Sequence, residues 1–316
     1  MGRLALALVA VAALLAPAAA MAKPGPRFAH TVLLAPVKGK VTVHGKPLKN
    51  ATLVKVGTSV DTTHGTVKLT SALPSGKTQF GTFNGSAFLV KQPKSGKGLT
   101  DLTLTGGGLS SCPAPGVRRA ATVTAAAKHR RRLFGHAHGR FRTLGRNSTA
   151  TVRGTTWVTE DRCDGTHTTD MTGQVDTATS DGLALKLKPG QVVTYYCSPR
   201  ANPPQPGTYC VVLLAASAQG LIATGIIDIT DQTQYDLCVT GPDTGQEQCV
   251  TPPFSDPMLH GFRESALSCY AHRGTGVYTV RWRVAGVFLF PPLSLNLTNN
   301  PQAPTTCLHS PKASTG

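Results

Sequence analysis

Three groups of side chains in this chain have types and spacings that could support chemistry. The first is His136-Ala137-His138, with His129 nearby, two imidazoles at a spacing that could ligate a metal. These histidines sit in a basic, glycine-bearing segment whose positive charge repels a cation, so a metal site is not expected. The second is Glu160, Asp161 and Asp164, whose carboxylates could hold calcium, yet Arg162 interrupts them and the ligand count falls short of what calcium takes. A solvated acidic turn is the expectation. The third is a run of cations, Lys128, Arg130, Arg131, Arg132, Arg140, Arg142 and Arg146, suited to contact an anionic polymer or lipid surface. No H-E-x-x-H, G-x-S-x-G or phosphate-loop pattern occurs. The chain therefore reads as a non-enzyme without cofactor or metal.

Charge is distributed unevenly around that third group. Between Lys23 and Val158 there are 22 Lys or Arg against Asp61 and Asp101 alone, a net +20. From Arg200 to Gly316 there are 6 basic and 7 acidic residues, a net −1. Such a basic half is drawn to anionic envelope polymers, lipid head groups or stray nucleic acid, or serves as a solvated face. The Lys128–Arg132 run has no aromatic interleaving, so no specific nucleic-acid recognition is expected.

The compartment follows from the N-terminus and the cysteines. Arg3, the apolar run Leu4–Leu15, Pro17 and the small-x-small site Ala20-Met21-Ala22 make a secretory leader over residues 1–22. The run is shorter than the roughly 20 apolar residues of a spanning helix. Eight cysteines follow it: Cys112, Cys163, Cys197, Cys210, Cys238, Cys249, Cys269 and Cys307. An even number in an exported chain reads as disulfides. Cys112 and Cys163 stand alone in the first half and pair there. In the second half, 197–210, 238–249 and 269–307 is the preferred set among fifteen connectivities.

The elements that must position these groups are short strands. Val41-Thr42-Val43-His44, Thr66–Thr70 and Leu102–Thr105 alternate apolar with polar, and His64-Gly65, Pro74-Ser75-Gly76 and Asn84-Gly85 punctuate them. Asn84-Gly85, between Phe80–Phe83 and Phe88–Val90, predicts a hairpin. Residues 113–135 break the pattern and are expected to be a basic, disordered insertion. Alternation resumes at Phe141, and Asp164-Gly165 predicts a second hairpin.

Taken in order, several segments resemble the FecR-like domain of exported, actinobacterial type. They are Ser59–Leu69, Phe141-Arg142-Thr143, Ala150–Trp157 with Val152-Arg153-Gly154-Thr155, Asp164-Gly165-Thr166, Gly173-Gln174-Val175 and Leu187–Gln191. The resemblance covers Pro36 to Tyr196 apart from the insertion. It implies a turn-rich all-β domain without catalytic residues. The signalling members of that family act through a membrane helix; none follows the leader here, so a binding or scaffold role is what the resemblance leaves. Sensing through a separate membrane partner is the alternative.

After Gly207, strand-like runs such as Tyr209–Leu214, Leu221–Ile229 and Tyr278–Val284 predict an immunoglobulin-like β-sandwich. The expected organisation is mainly β: a leader at 1–22, a FecR-like domain at 33–199, a sandwich at 200–309 and a flexible tail at 310–316. The expected role is a secreted binding or structural protein of the cell envelope that contacts anionic polymer, with an envelope protein as a further candidate partner.

Overall fold

The structure is a computed structural model. It describes residues 25–112, 130–179, 184–199, 208–216, 221–226, 236–243, 245–250, 263–266, 275–284, 287–288 and 292–297. The expected leader, the tail, Lys128, His129 and most of the insertion lie outside these residues. What is described is mainly β, and no helix in it is long and apolar enough to cross a membrane.

The first half is built from β1 (Thr31–Val43), β2 (Lys46–Pro47), β3 (Thr52–Lys55), β4 (Ser59–Ala72), β5 (Thr78–Asn84), β6 (Ala87–Lys91), β7 (Thr100–Thr105), β8 (Arg131–His138), β9 (Arg140–Leu144) and β10 (Thr149–Arg153). It continues through β11 (Thr156–Arg162), β12 (Gly165–Thr172), β13 (Val175–Ala178), β14 (Ala184–Leu187) and β15 (Gln191–Pro199). The long strands β1 and β4 pair along their lengths, and both serve two sheets. The later part of β4 pairs with β5, which leads through β8, β11 and β12 to β15. The earlier part pairs with β6, which leads through β7, β9 and β10 to β13 and β14. The chain thus lays strands alternately on a first and a second sheet.

Two local devices make this possible. Where β1 and β4 bend between sheets the register slips twice, and Gly39 lies opposite Gly65. A Cβ on Gly65 would sit 2.7 Å from the Lys40 carbonyl oxygen and 2.8 Å from that of Lys38, so only glycine lets the backbones approach this closely. The second device is an arch. Asn84-Gly85 does turn the chain, but β5 and β6 belong to different sheets and do not pair, so the expected hairpin is a crossing. Its backbone is held by Thr62, in mid-β4, whose carbonyl accepts from the Gly85 amide and whose amide donates to the Ser86 carbonyl. Arg153-Gly154-Thr155 makes the same crossing from β10 to β11, with Gly154 at φ +72°.

One hydrophobic core lies between the sheets. Leu34, Leu69, Phe83, Trp157 and Tyr195 enter from the first sheet, and Phe88, Leu102, Phe141, Val152 and Leu187 from the second. Phe83 joins the two, with ring centroids 6.0 Å from Phe88, 5.5 Å from Phe141 and 6.1 Å from Trp157. Burial of such rings supplies roughly 1.5–3 kcal/mol each.

The expected insertion extends less far than the sequence suggested. Residues 131–135 begin β8, an interior strand of the first sheet between β5 and β11. Its charges alternate in facing: Arg131 points inward to a buried aspartate, while Arg132 points out.

Hydrogen bonding also runs past residue 199. β16 (Thr208–Ala216), β17 (Leu221–Ile226) and β20 (Arg263–Ala266) extend the first sheet from β15, so the expected domain boundary falls within the β15–β16 hairpin. A smaller sheet contains β18 (Asp236–Thr240), β19 (Glu247–Val250), β21 (Gly276–Val284), β22 (Val287–Phe288) and β23 (Leu293–Leu297). Its strands β19, β18 and β21 are neighbours in that order, and β22 and β23 also pair with β21.

Disulfides join Cys112 to Cys163 and Cys238 to Cys249, as expected. Cys197 stands opposite Cys210 in the β15–β16 register. Their side chains, and Cys269 and Cys307, lie outside what is described.

Candidate functional site

Of the seven cations singled out in the sequence, Lys128 lies outside the described residues and the fold disperses the other six. Arg131 enters the interior, where its Nε and Nη2 each lie 2.7 Å from Oδ2 of the fully buried Asp161. That carboxylate also accepts from the Arg146 amide at 3.0 Å and the Thr166 hydroxyl at 2.5 Å. Arg142 forms a two-pronged pair with Asp101 on the adjacent parallel strand β7, both contacts at 2.8 Å. These hydrogen bonds raise the Arg142 guanidinium above its ordinary pKa. Arg140 donates to the Lys97 carbonyl, and the Arg146 guanidinium lies 3.9 Å from Cys112 Sγ. Arg130, Arg132 and Arg146 are exposed, and the first two each lie 3.9 Å from Glu160, a separation that contributes little.

The three carboxylates considered for calcium also part company. Glu160 faces outward beside these arginines and Asp161 faces the interior. Asp164, in the two-residue loop between Arg162 and Gly165, is clamped by Arg162 at 2.9 and 2.7 Å and lies 3.1 Å from His167 Nε2. Burial pushes the Asp164 carboxyl up, but the His167 charge and the hydrogen bonds from His167 and Arg162 outweigh it and hold the group well below the ordinary range. Alternate residues of a strand point to opposite faces, so neighbouring acids cannot converge on one ion here. Among the described residues the one cluster with three potential ligands is Cys238, Glu247 and Cys249. Its sulfurs are joined as a disulfide and Glu247 is engaged by Arg281 at 2.6 Å.

A set that sequence spacing did not reveal forms on the outer face of the first sheet. Register places Phe80 beside His138, Thr82 beside both His136 and Lys68, and Asn84 beside Phe134. Phe80 is 39% exposed, and Lys68, Arg132, His136 and His138 are exposed. Lys68 Nζ lies 4.4 Å above the Phe80 ring, and the Arg132 guanidinium 4.5 Å above that of Phe134. The rings of His138 and Phe80 are 5.0 Å apart, as are those of His136 and His138. His136 Nδ1 contacts the Thr156 hydroxyl at 2.7 Å. Alternation over Arg132, Phe134, His136 and His138 was the available signal; the contributions of β4 and β5 come from pairing.

The interior beneath the arch at Gly154 is polar. Asp170 is fully buried opposite Trp157, and neither carboxylate oxygen has a hydrogen-bond partner. Burial pushes its pKa up, and the Thr172 amide and Thr155 hydroxyl nearby offset this only in part without completing a hydrogen bond. Of the motif Val152-Arg153-Gly154-Thr155, Val152 and Thr155 are buried and Arg153 and Gly154 exposed. The motif is thus a structural crossing at the rim of this region.

No family model matches the chain. Neither a curated protein nor a solved structure matches it.

Proposed function

We propose that this chain is an exported, non-catalytic binding or structural protein of the cell envelope, whose basic first half contacts anionic polymer. The observation that carries the reading is the charge imbalance of that half. The two acids between Lys23 and Val158 are already engaged, Asp101 by Arg142 and Asp61 by the Thr63 hydroxyl and amide. Most of its cations therefore have no carboxylate within the segment to neutralise them, and they set up a field that attracts polyanions. The leader pattern and the disulfides support export. The FecR-like resemblance supports a domain that binds or supports and does not catalyse.

The test is retention of the full mature chain, residues 23–316, on isolated cell envelopes as salt rises from about 0.05 to about 0.5 M. The full chain is required because a cut at 199 would strip β16 from β15. Retention that falls steeply with salt is expected. Absence of retention at low salt, or retention indifferent to salt, refutes the reading.

A further inference from the structure

We propose that the outer face of the first sheet around Lys68, Phe80, His136 and His138 binds an acidic polysaccharide, an inference that rests on the polymer-contact reading above. Three features define the chemistry. First, the cations are held in place. Packing of Lys68 on Phe80 and of Arg132 on Phe134 fixes both charges against the sheet, so little side-chain freedom is lost when an anion arrives.

Second, the spacing suits a polymer. Adjacent strands lie about 4.8 Å apart, so Lys68 on β4 and His136 on β8, with β5 between them, stand about 10 Å apart across the sheet. Acidic groups on alternate rings of a glycan are separated by a comparable length. Third, the ground between Lys68 and His136 is hydroxylic. Thr70, Thr82 and Thr156 are partly exposed there, offering donors and acceptors to sugar hydroxyls.

The same geometry disfavours single-stranded nucleic acid. Base stacking needs an open aromatic face. Here a cation lies over each phenylalanine ring, and His138 leans on Phe80 at 42°. Among the described residues the acid on this face near the cluster is Glu160, 3.9 Å from both Arg130 and Arg132.

The test immobilises polygalacturonate, an unbranched uronic-acid polymer, beside neutral dextran and a single-stranded oligothymidylate, and measures binding of the full mature chain. Binding to polygalacturonate and not to dextran is expected. Lys68→Gln, Phe80→Ser and the pair His136→Ser with His138→Ser should each weaken it about tenfold with unchanged melting temperature, while Lys46→Gln on the distant β2 stays within about twofold. Polygalacturonate binding that survives all three face variants overturns the proposal. Absence of polygalacturonate binding by a protein that envelopes still retain also overturns it, and leaves the broader reading standing; loss of both removes both. Tighter binding to the oligonucleotide, abolished by Phe80→Ser, would overturn it by assigning the face to nucleic acid.

Discussion

Replacing Asp161 with alanine should destabilise the first half by about 3 kcal/mol, because Arg131 would be left partly buried without its counter-charge. Removing one partner of a buried ion pair costs about 3–5 kcal/mol. The lower end applies because the Arg131 side chain keeps 15% of its surface exposed and can recover some hydration. The same substitution orphans the Arg146 amide and the Thr166 hydroxyl, both of which donate to Asp161. For a domain of this size, 3 kcal/mol corresponds to a fall in melting temperature of about 6–12 °C. Arg131→Met should cost about 2–3 kcal/mol, since the carboxylate keeps its amide and hydroxyl donors. The decisive quantity is the double variant. It should lose about 3–4 kcal/mol, short of the sum of the two, giving a coupling of about 1–3 kcal/mol. Urea unfolding followed by the fluorescence of the buried Trp157 reads all four corners of the cycle. An additive double variant, with coupling under about 0.5 kcal/mol, would refute the account of Arg131 as an interior structural charge.

The remaining predictions concern other parts of the same framework. Asp170→Asn should stabilise the protein by about 1–2 kcal/mol near neutral pH, because an unpartnered buried charge disappears. Since the folded pKa of Asp170 is raised, the favourable neutral form is fully present below the unfolded value of about 3.9 and is lost as pH rises through the folded value. The advantage of the variant should therefore vanish in unfolding measurements below about pH 3.5, and an advantage that persists there would contradict this. Replacing Cys112 and Cys163 by serine opens a loop with a separation of 51 residues and should cost about 4 kcal/mol; a cost under about 1 kcal/mol in chemical denaturation would argue against the bridge. Gly65→Ala drives a methyl into two carbonyl oxygens and should cost over about 2 kcal/mol, whereas Gly154→Ala, at φ +72° with open space around it, should cost about 1 kcal/mol. Equal melting temperatures for these two variants would count against the Gly39–Gly65 corner.

Sequence patterning carried the local elements well. Alternation over Thr66–Thr70, Leu102–Thr105 and Tyr278–Val284 marks real strands, because a strand with one buried face must show period two. The cysteine count led to the 112–163 and 238–249 bridges, and Asp164-Gly165 marked a true hairpin, whose loop residues are Cys163 and Asp164. Asn84-Gly85 was also a turn, but a turn sequence fixes only local dihedrals. Whether the next strand pairs with the last or crosses to another sheet depends on β4, which receives both.

The cationic run shows where local reading ends. Lys128 to Arg132 looks like a uniformly solvated stretch, yet Arg131 goes inward because Asp161, thirty residues later, waits opposite it in the β8–β11 register. The outer face around Phe80 was equally invisible, since its residues come from β4, β5 and β8 and meet only through pairing. By itself the sequence determined the strand-rich character, the charge imbalance and the cysteine content, all properties of composition or period. Only the tertiary structure decided which charges are internal struts and which face solvent, because that depends on long-range strand register, and a shift of one residue would turn every side chain to the other face.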